Sequence, residues 1–116
     1  MNQINGLDMK ALVGTIEAVR QDPTIGAFEF RATNQWINGG ENRSRIKEFC
    51  GAGSEDESRV EAFEFTNGEP PVLLGGNEGA SPVEFLLHAL AGRVTTTTVL
   101  HAAARGIQIE HLSPNS

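Results

Sequence analysis

A single thiol and a few charged side chains are the groups in this 116-residue chain that could do chemistry. Cys50 is the only cysteine, and the thiolate is the nucleophilic form of that side chain. Lys47 is the only basic residue close to it in sequence, and glycine and alanine follow it. The sequence therefore favours a small, half-buried apolar role for Cys50 at a strand end. A displaced nucleophile is the alternative.

Arg93 is the charged residue in the least expected position. In a helix it would lie within about 40° of Leu86 and Ala89, in the middle of an apolar stripe. Its neighbours three and four positions away carry no acid: Ala89, Leu90, Thr96 and Thr97. Because an unpaired buried guanidinium is very costly, we expect Arg93 to reach a carboxylate elsewhere in the fold, a partner chain or water.

The remaining polar candidates give weaker signals. Arg43 would share one face of a strand with Arg45 and Lys47, a pattern typical of a solvated basic face. The three histidines are too scattered around and beyond one helix to form a metal site. The glycine-rich stretch 75–79 lacks the Gly-Lys-Ser/Thr of a phosphate-binding loop. We therefore predict no metal and no cofactor.

Arg93 would be positioned by one long helix, predicted over 82–105. Ser81 can cap it and Glu84 follows three residues later, which makes a capping box. Gly106 suits the left-handed residue beyond the end. The predicted helix is apolar nearly all round, so something should cover it.

The rest of the chain predicts an α+β fold in a single domain, residues 1–116. Apolar residues at helical spacing indicate a first helix over 7–22, capped by Asp8. Alternating patterns indicate an antiparallel three-stranded meander over 27–66. A further alternation indicates the beginning of a strand over 107–112.

Several stretches resemble the OsmC/Ohr family of osmotically inducible and organic-hydroperoxide-resistance proteins. The longest is Pro-Pro-Val-Leu-Leu-Gly-Gly-(x)2-Gly-(x)2-Pro-(x)-Glu-(x)-Leu-Leu-(x)-Ala-Leu-Ala-Gly, residues 70–92. WINGGENR at 36–43, FCGAG at 49–53 and HAAARGI at 101–107 resemble the OsmC-like branch. The resemblance covers roughly 19–112, and the segment that would carry the later half of the family domain is absent.

This resemblance implies a peroxiredoxin-like thiol peroxidase of the oxidative and osmotic stress response. One cysteine in the central helix attacks the peroxide, a second resolves it, and an arginine and a glutamate tune the first. The first cysteine would stand at position 93, which is Arg93 here. Arg43 would be the helper arginine and Glu84 the nearest match to the glutamate, whose usual position holds Val83. We therefore expect no peroxidase activity from the chain as given.

The resemblance also implies an intertwined homodimer, with the central helices packed together. A small hydrophobic or hydroperoxide ligand would bind at the subunit interface. A net charge of −6 argues against nucleic acid and anionic membrane surfaces, and we expect a cytoplasmic protein that works as a dimeric binding module. Two alternatives stay open: an active hydroperoxide reductase that uses Cys50 or a partner chain, and a piece of a longer protein.

Overall fold

The structure is a computed structural model that describes residues 3–112. In that range it contains two α-helices and antiparallel sheets, which confirms the α+β class. Contacts divide the chain into two compact units, described separately below. The first combines the residues up to Pro23 with those from Leu87 onward, and the second is Thr24–Leu86.

The first unit begins with a hairpin that the sequence analysis did not predict. Strand β1 (Gln3–Ile4) pairs antiparallel with strand β2 (Leu7–Asp8). Asn5 and Gly6 join them with φ angles of 54° and 78°. Asn-Gly is the preferred pair for such a two-residue turn, because both positions need positive φ.

Helix α1 (Met9–Gln21) follows directly, within the predicted range 7–22. Asp8 caps it as predicted: its Oδ1 accepts hydrogen bonds from the backbone N–H groups of Lys10 and Ala11, at 3.0 and 3.3 Å. The cap satisfies two of the N–H groups that have no partner inside the helix. Pro23 comes soon after the end of α1, where it cannot continue a helix.

The strand predicted over 107–112 is wrong, since these residues form no strand. Their backbone bonds to a side chain instead of a neighbouring strand. The Asn5 amide donates to the Ile107 carbonyl at 2.9 Å and accepts from the Ile109 N–H at 2.7 Å. An alternating pattern predicts only exposure of one face, and strand formation also needs a pairing partner.

The long helix α2 (Pro82–Ala104) matches the predicted range 82–105 to within one residue. Its capping box is formed: the Ser81 backbone N–H donates to Glu84 Oε1 at 3.0 Å, and the Glu84 N–H donates to Ser81 Oγ at 3.3 Å. Phe85 in the first turn packs edge-on against Phe65 of the sheet, with ring centroids 5.9 Å apart. The cap and this ring contact fix the start of the helix.

The capping box should make stability depend on pH. Hydrogen bonds from the Ser81 backbone and hydroxyl hold the pKa of Glu84 below its usual value. A lowered folded-state pKa stabilises the fold above the usual glutamate pKa and loses that contribution as the pH falls through the lower one. Glu84→Gln should therefore destabilise the protein at neutral pH and differ little from the original chain in acid. Urea unfolding at both pH values tests this, with Glu64→Gln as the exposed control.

The end of α2 forms a Schellman motif around Gly106, whose φ is 74°. The Gly106 N–H donates to the Ala103 carbonyl at 2.9 Å, and the Ile107 N–H donates to the Ala102 carbonyl at 2.8 Å. The predicted left-handed glycine is thus confirmed, because glycine adopts this φ without a Cβ penalty.

The second unit holds a three-stranded antiparallel sheet in the order β3-β4-β7. Strands β3 (Thr33–Asn38) and β4 (Glu41–Ile46) form a hairpin over Gly39-Gly40, with an irregular register between Trp36 and Asn38. Strand β7 (Phe63–Asn67) pairs with the other side of β4. The strand order of the predicted three-stranded meander is therefore confirmed.

The predicted meander is wrong in two details. The second strand ends at Ile46, and the Lys47 carbonyl accepts from the Arg59 guanidinium at 2.9 Å instead of continuing the ladder. An additional hairpin, β5 (Phe49–Gly51) with β6 (Ser54–Asp56), lies between β4 and β7 in sequence. Residues 28–31, predicted in the first strand, contact this hairpin through a Glu29–Cys50 bridge.

The segment between β7 and α2 is held by close backbone contacts. A Cβ at Gly79 would collide with the Thr66 carbonyl, and a Cβ at Gly75 would collide with the Glu69 carbonyl. The glycines thus permit this segment to approach Thr66 and Glu69 closely, because only glycine leaves that space empty. The Gly68 N–H donates to the Ala80 carbonyl at 3.0 Å across the same segment.

Little of this chain is buried. In residues 3–112 the buried positions are Gly51, Gly68 and Ala103, none with a large side chain. Helix α2 leaves most of its large apolar side chains exposed: Val83, Leu86, Leu87, Leu90, Val94 and Leu100. The predicted apolar helix is present, and the described chain does not cover it.

Candidate functional site

Arg93 lies on α2 in the first unit and is exposed. Its guanidinium makes no hydrogen bond or ion pair with a described residue of the same unit. Of the partners considered from the sequence, a carboxylate in the described part of the first unit is therefore ruled out. Water and a partner chain are among those that remain.

Replacing Arg93 with alanine should change stability very little. An exposed, unpaired arginine contributes no ion pair, and substitutions of this kind usually change the free energy of unfolding by less than about 0.5 kcal/mol. Chemical denaturation of dilute protein measures the difference. A loss of about 3 kcal/mol or more in the free energy of unfolding would instead indicate that Arg93 pairs with a carboxylate of a partner chain, because removing the arginine leaves that carboxylate without a partner.

Arg43 lies at the centre of a polar groove on one face of the three-stranded sheet. The strand register puts Gln35, Arg43 and Thr66 in one row across that face. The Arg43 Nε donates to Thr66 Oγ1 at 3.4 Å. The next row brings Arg45 alongside, and the groove has a volume of about 590 Å³. Arg43 is exposed, so its charge is available to a small anionic or polar group.

Glu84 is occupied by its capping bonds to Ser81. No hydrogen bond or ion pair joins it to Arg43, although both belong to the second unit. The structure therefore does not bring these two candidate residues together as an arginine–glutamate pair. The role of Glu84 in the described chain is to begin the helix.

Cys50 lies in β5, half-buried. The half-burial agrees with the prediction, but the predicted strand-end position is wrong, because Cys50 is the middle residue of a separate strand. Its direct cross-strand neighbours are both glutamates: Glu29 on one side and Glu55 of β6 on the other. Directly paired residues of antiparallel strands have side chains on the same face, so the sulfur shares its surface with two carboxylates.

An arginine that the sequence analysis did not single out completes this cluster. Arg31 Nη2 donates to Glu55 Oε2 at 3.0 Å and its Nε donates to Glu29 Oε1 at 3.3 Å. The hydrogen bonds to Glu55 and then to Glu29 raise the pKa of Arg31, and the same Arg31 contact lowers the pKa of Glu55. The alternation of Glu29 and Arg31 with phenylalanines predicted their common face, but the pairing with Glu55 is non-local.

Phenylalanines occupy the opposite face of this hairpin region. The Phe30 ring lies 5.7 Å from that of Phe28 and 5.1 Å from that of Phe49, between centroids. The Arg59 guanidinium covers the Phe49 ring at 4.8 Å, a favourable cation–π geometry. The apolar face packs the hairpin, and the face with Cys50 stays polar.

The first unit contains an apolar groove of about 540 Å³. Helix α1 supplies most of its lining, including Leu12, Ile16 and Val19. Leu7 of β2 and Leu100 of α2 complete it. Pockets for small molecules typically measure about 300–1,000 Å³ and are lined mainly by apolar side chains, and this groove lies within that range of size and composition.

Comparisons with protein-family models and with curated proteins find no match to this chain. The resemblance to the OsmC/Ohr family therefore stays a prediction from its motifs. Neither helix in the described range combines the length and apolar content that crossing a bilayer requires. No group of three or more His, Cys, Asp or Glu residues is arranged to hold a metal ion in that range.

Proposed function

We propose that this chain is an OsmC-like protein of the hydroperoxide-response type that acts as a dimeric binding module and not as a thiol peroxidase. The observation that carries the proposal is Arg93. It lies eleven residues after Pro82, where the resemblance expects the reacting cysteine. A guanidinium stays protonated and has no lone pair to offer, so it cannot attack a peroxide.

The surface of the chain supports the dimer. Leu87, Leu90 and Val94 are exposed and lie on one side of α2, within about 60° of each other. Monomeric proteins rarely expose contiguous apolar surface of this kind, which usually marks an interface.

The apolar groove of the first unit supports a binding role. Its lining offers apolar contacts and one carboxylate, that of Asp8, which already caps α1. A ligand held there would be small and hydrophobic, in keeping with the organic part of a hydroperoxide. Arg43 in its separate polar groove could hold an anionic group, but it belongs to the other unit.

A second candidate function is hydroperoxide reduction by Cys50. The observation that favours it is the polar face of the hairpin, where Cys50 lies among Arg31, Glu29 and Glu55. These are the residue types that the resemblance associates with a reacting cysteine. Against it, Arg31 is already neutralised by two carboxylates, and a reactive thiolate needs nearby positive charge.

The test is consumption of cumene hydroperoxide with dithiothreitol or dihydrolipoamide as the reductant. The chain as given should show no turnover above the rate without protein, and Cys50→Ser should behave identically. Catalytic consumption that disappears in Cys50→Ser and falls in Arg31→Ala would establish the second candidate and refute the first. Arg20→Ala, which removes an exposed arginine of α1, is the matched control.

A further inference from the structure

Strand β3 forms an unprotected edge of the three-stranded sheet. It pairs with β4 alone, and all six of its residues, Thr33–Asn38, are exposed. The backbone groups on its outer side bond to no described residue. Natural edge strands are usually protected by charges, prolines or a covering segment. The sequence of β3, TNQWIN, contains neither a charge nor a proline.

The opposite edge of the sheet differs. Strand β7 carries the charged Glu64, and the backbone of Gly79 lies against its Thr66 carbonyl. The Gly68 N–H immediately after β7 bonds to the Ala80 carbonyl. The β7 edge is thus partly covered and carries a charge, whereas the β3 edge has neither a covering segment nor a charge. Its register irregularity affects only the end near Asn38.

We propose that β3 pairs antiparallel with β3 of a second copy of this chain, about a two-fold axis at Gln35. Two copies with a net charge of −6 each repel, so they meet most easily along an uncharged stretch. In this register Thr33 faces Ile37 of the other copy, a β-branched pair, and Asn34 faces Trp36. Such cross-strand pairs stabilise antiparallel sheets, and like charges opposite each other would destabilise them.

A second copy fits this edge better than a charged peptide does. The edge offers no charge to attract one, while a two-fold pairing uses the same surface twice and satisfies both edges at once. The contact involves only the second unit and does not use α2. It is therefore independent of the helix-face dimer proposed above, and either contact can exist without the other.

Disulfide trapping tests the pairing. Gln35→Cys in a Cys50→Ser background puts two thiols on the proposed axis. Facing Cα atoms in antiparallel strands lie about 4.5–5.5 Å apart, within the distance that a disulfide bridges. The Gln35→Cys chain should therefore cross-link several-fold faster under mild oxidation than Glu64→Cys in the same background. Equal rates for the two variants would overturn the proposal.

The register has its own test. An equimolar mixture of Asn34→Cys and Trp36→Cys chains, both with Cys50→Ser, should cross-link several-fold faster than either chain alone. No preference for the mixed disulfide would overturn the Gln35-centred two-fold axis, and with it this interface. Non-reducing gels of differently tagged chains distinguish the mixed product from the two homodimers.

Discussion

Arg93→Cys in a Cys50→Ser background should consume one equivalent of organic hydroperoxide per chain and then stop. Position 93 is exposed, so a thiol placed there is accessible to a peroxide. The sulfur takes one oxygen to become a sulfenic acid, and the peroxide leaves as the alcohol. Without a second cysteine in the chain, only a thiol of another molecule can reduce the sulfenic acid. We therefore expect a single stoichiometric reaction, against none for the parent chain.

The measurement is the loss of titratable thiol and the gain of one oxygen in the intact mass after addition of cumene hydroperoxide. Arg93→Ser is the matched control, since it removes the same charge and supplies no sulfur. Adding dithiothreitol should turn the single reaction into slow turnover. An unreactive thiol at position 93 would count against the correspondence of this position with the reacting cysteine of the OsmC/Ohr family.

Leu90→Glu should abolish the proposed dimer contact between α2 helices. Leu90 is 60% exposed in the isolated chain and would be buried twice in a two-fold interface. Losing its burial on both subunits removes on the order of 3–6 kcal/mol. That loss weakens Kd by about two to four orders of magnitude. With Gln35→Lys added to both proteins, which places like charges on the proposed β3 axis and blocks that separate contact, sedimentation velocity at micromolar concentration should show a dimer for Leu90 and a monomer for Leu90→Glu.

His88→Glu is the control for this substitution. It introduces the same carboxylate on the same helix, two residues away, and His88 points to a different side of α2. The dimer should survive in His88→Glu. A parent chain that sediments as a compact monomer at micromolar concentration would contradict the dimer proposal, whatever the variants do.

The sequence predicted the helices of this fold well because their signals are local. The Asp8 cap, the Ser81–Glu84 box and Gly106 each act within one turn of the helix they begin or end. The strand order of the main sheet also followed from local patterns. Burial could not be predicted in this way. The apolar character of α2 indicates a surface to be covered, but its large apolar side chains are exposed in the described chain.

The features that were missed depend on pairings between distant segments. Arg31 binds Glu55, 24 residues away, and no periodicity connects them. The hairpin of β5 and β6 interrupts an alternating pattern that otherwise indicates one longer strand. The expected strand over 107–112 has the right alternation and no partner. The candidate residues chosen from the sequence were Arg93, Arg43 and Glu84, and they did not include the Arg31 cluster beside Cys50.

The Asn5 side chain has a consequence for the order of folding. Its two hydrogen bonds connect residues 102 and 104 positions apart. Closing a flexible loop of that length costs about 4 kcal/mol in chain entropy, while two hydrogen bonds return only about 1–3 kcal/mol. These two hydrogen bonds therefore cannot nucleate the folding of the first unit. They form after the helices are in place and break before the helices unfold, so the Ile109 amide proton should exchange with solvent long before the amide protons in the middle of α2.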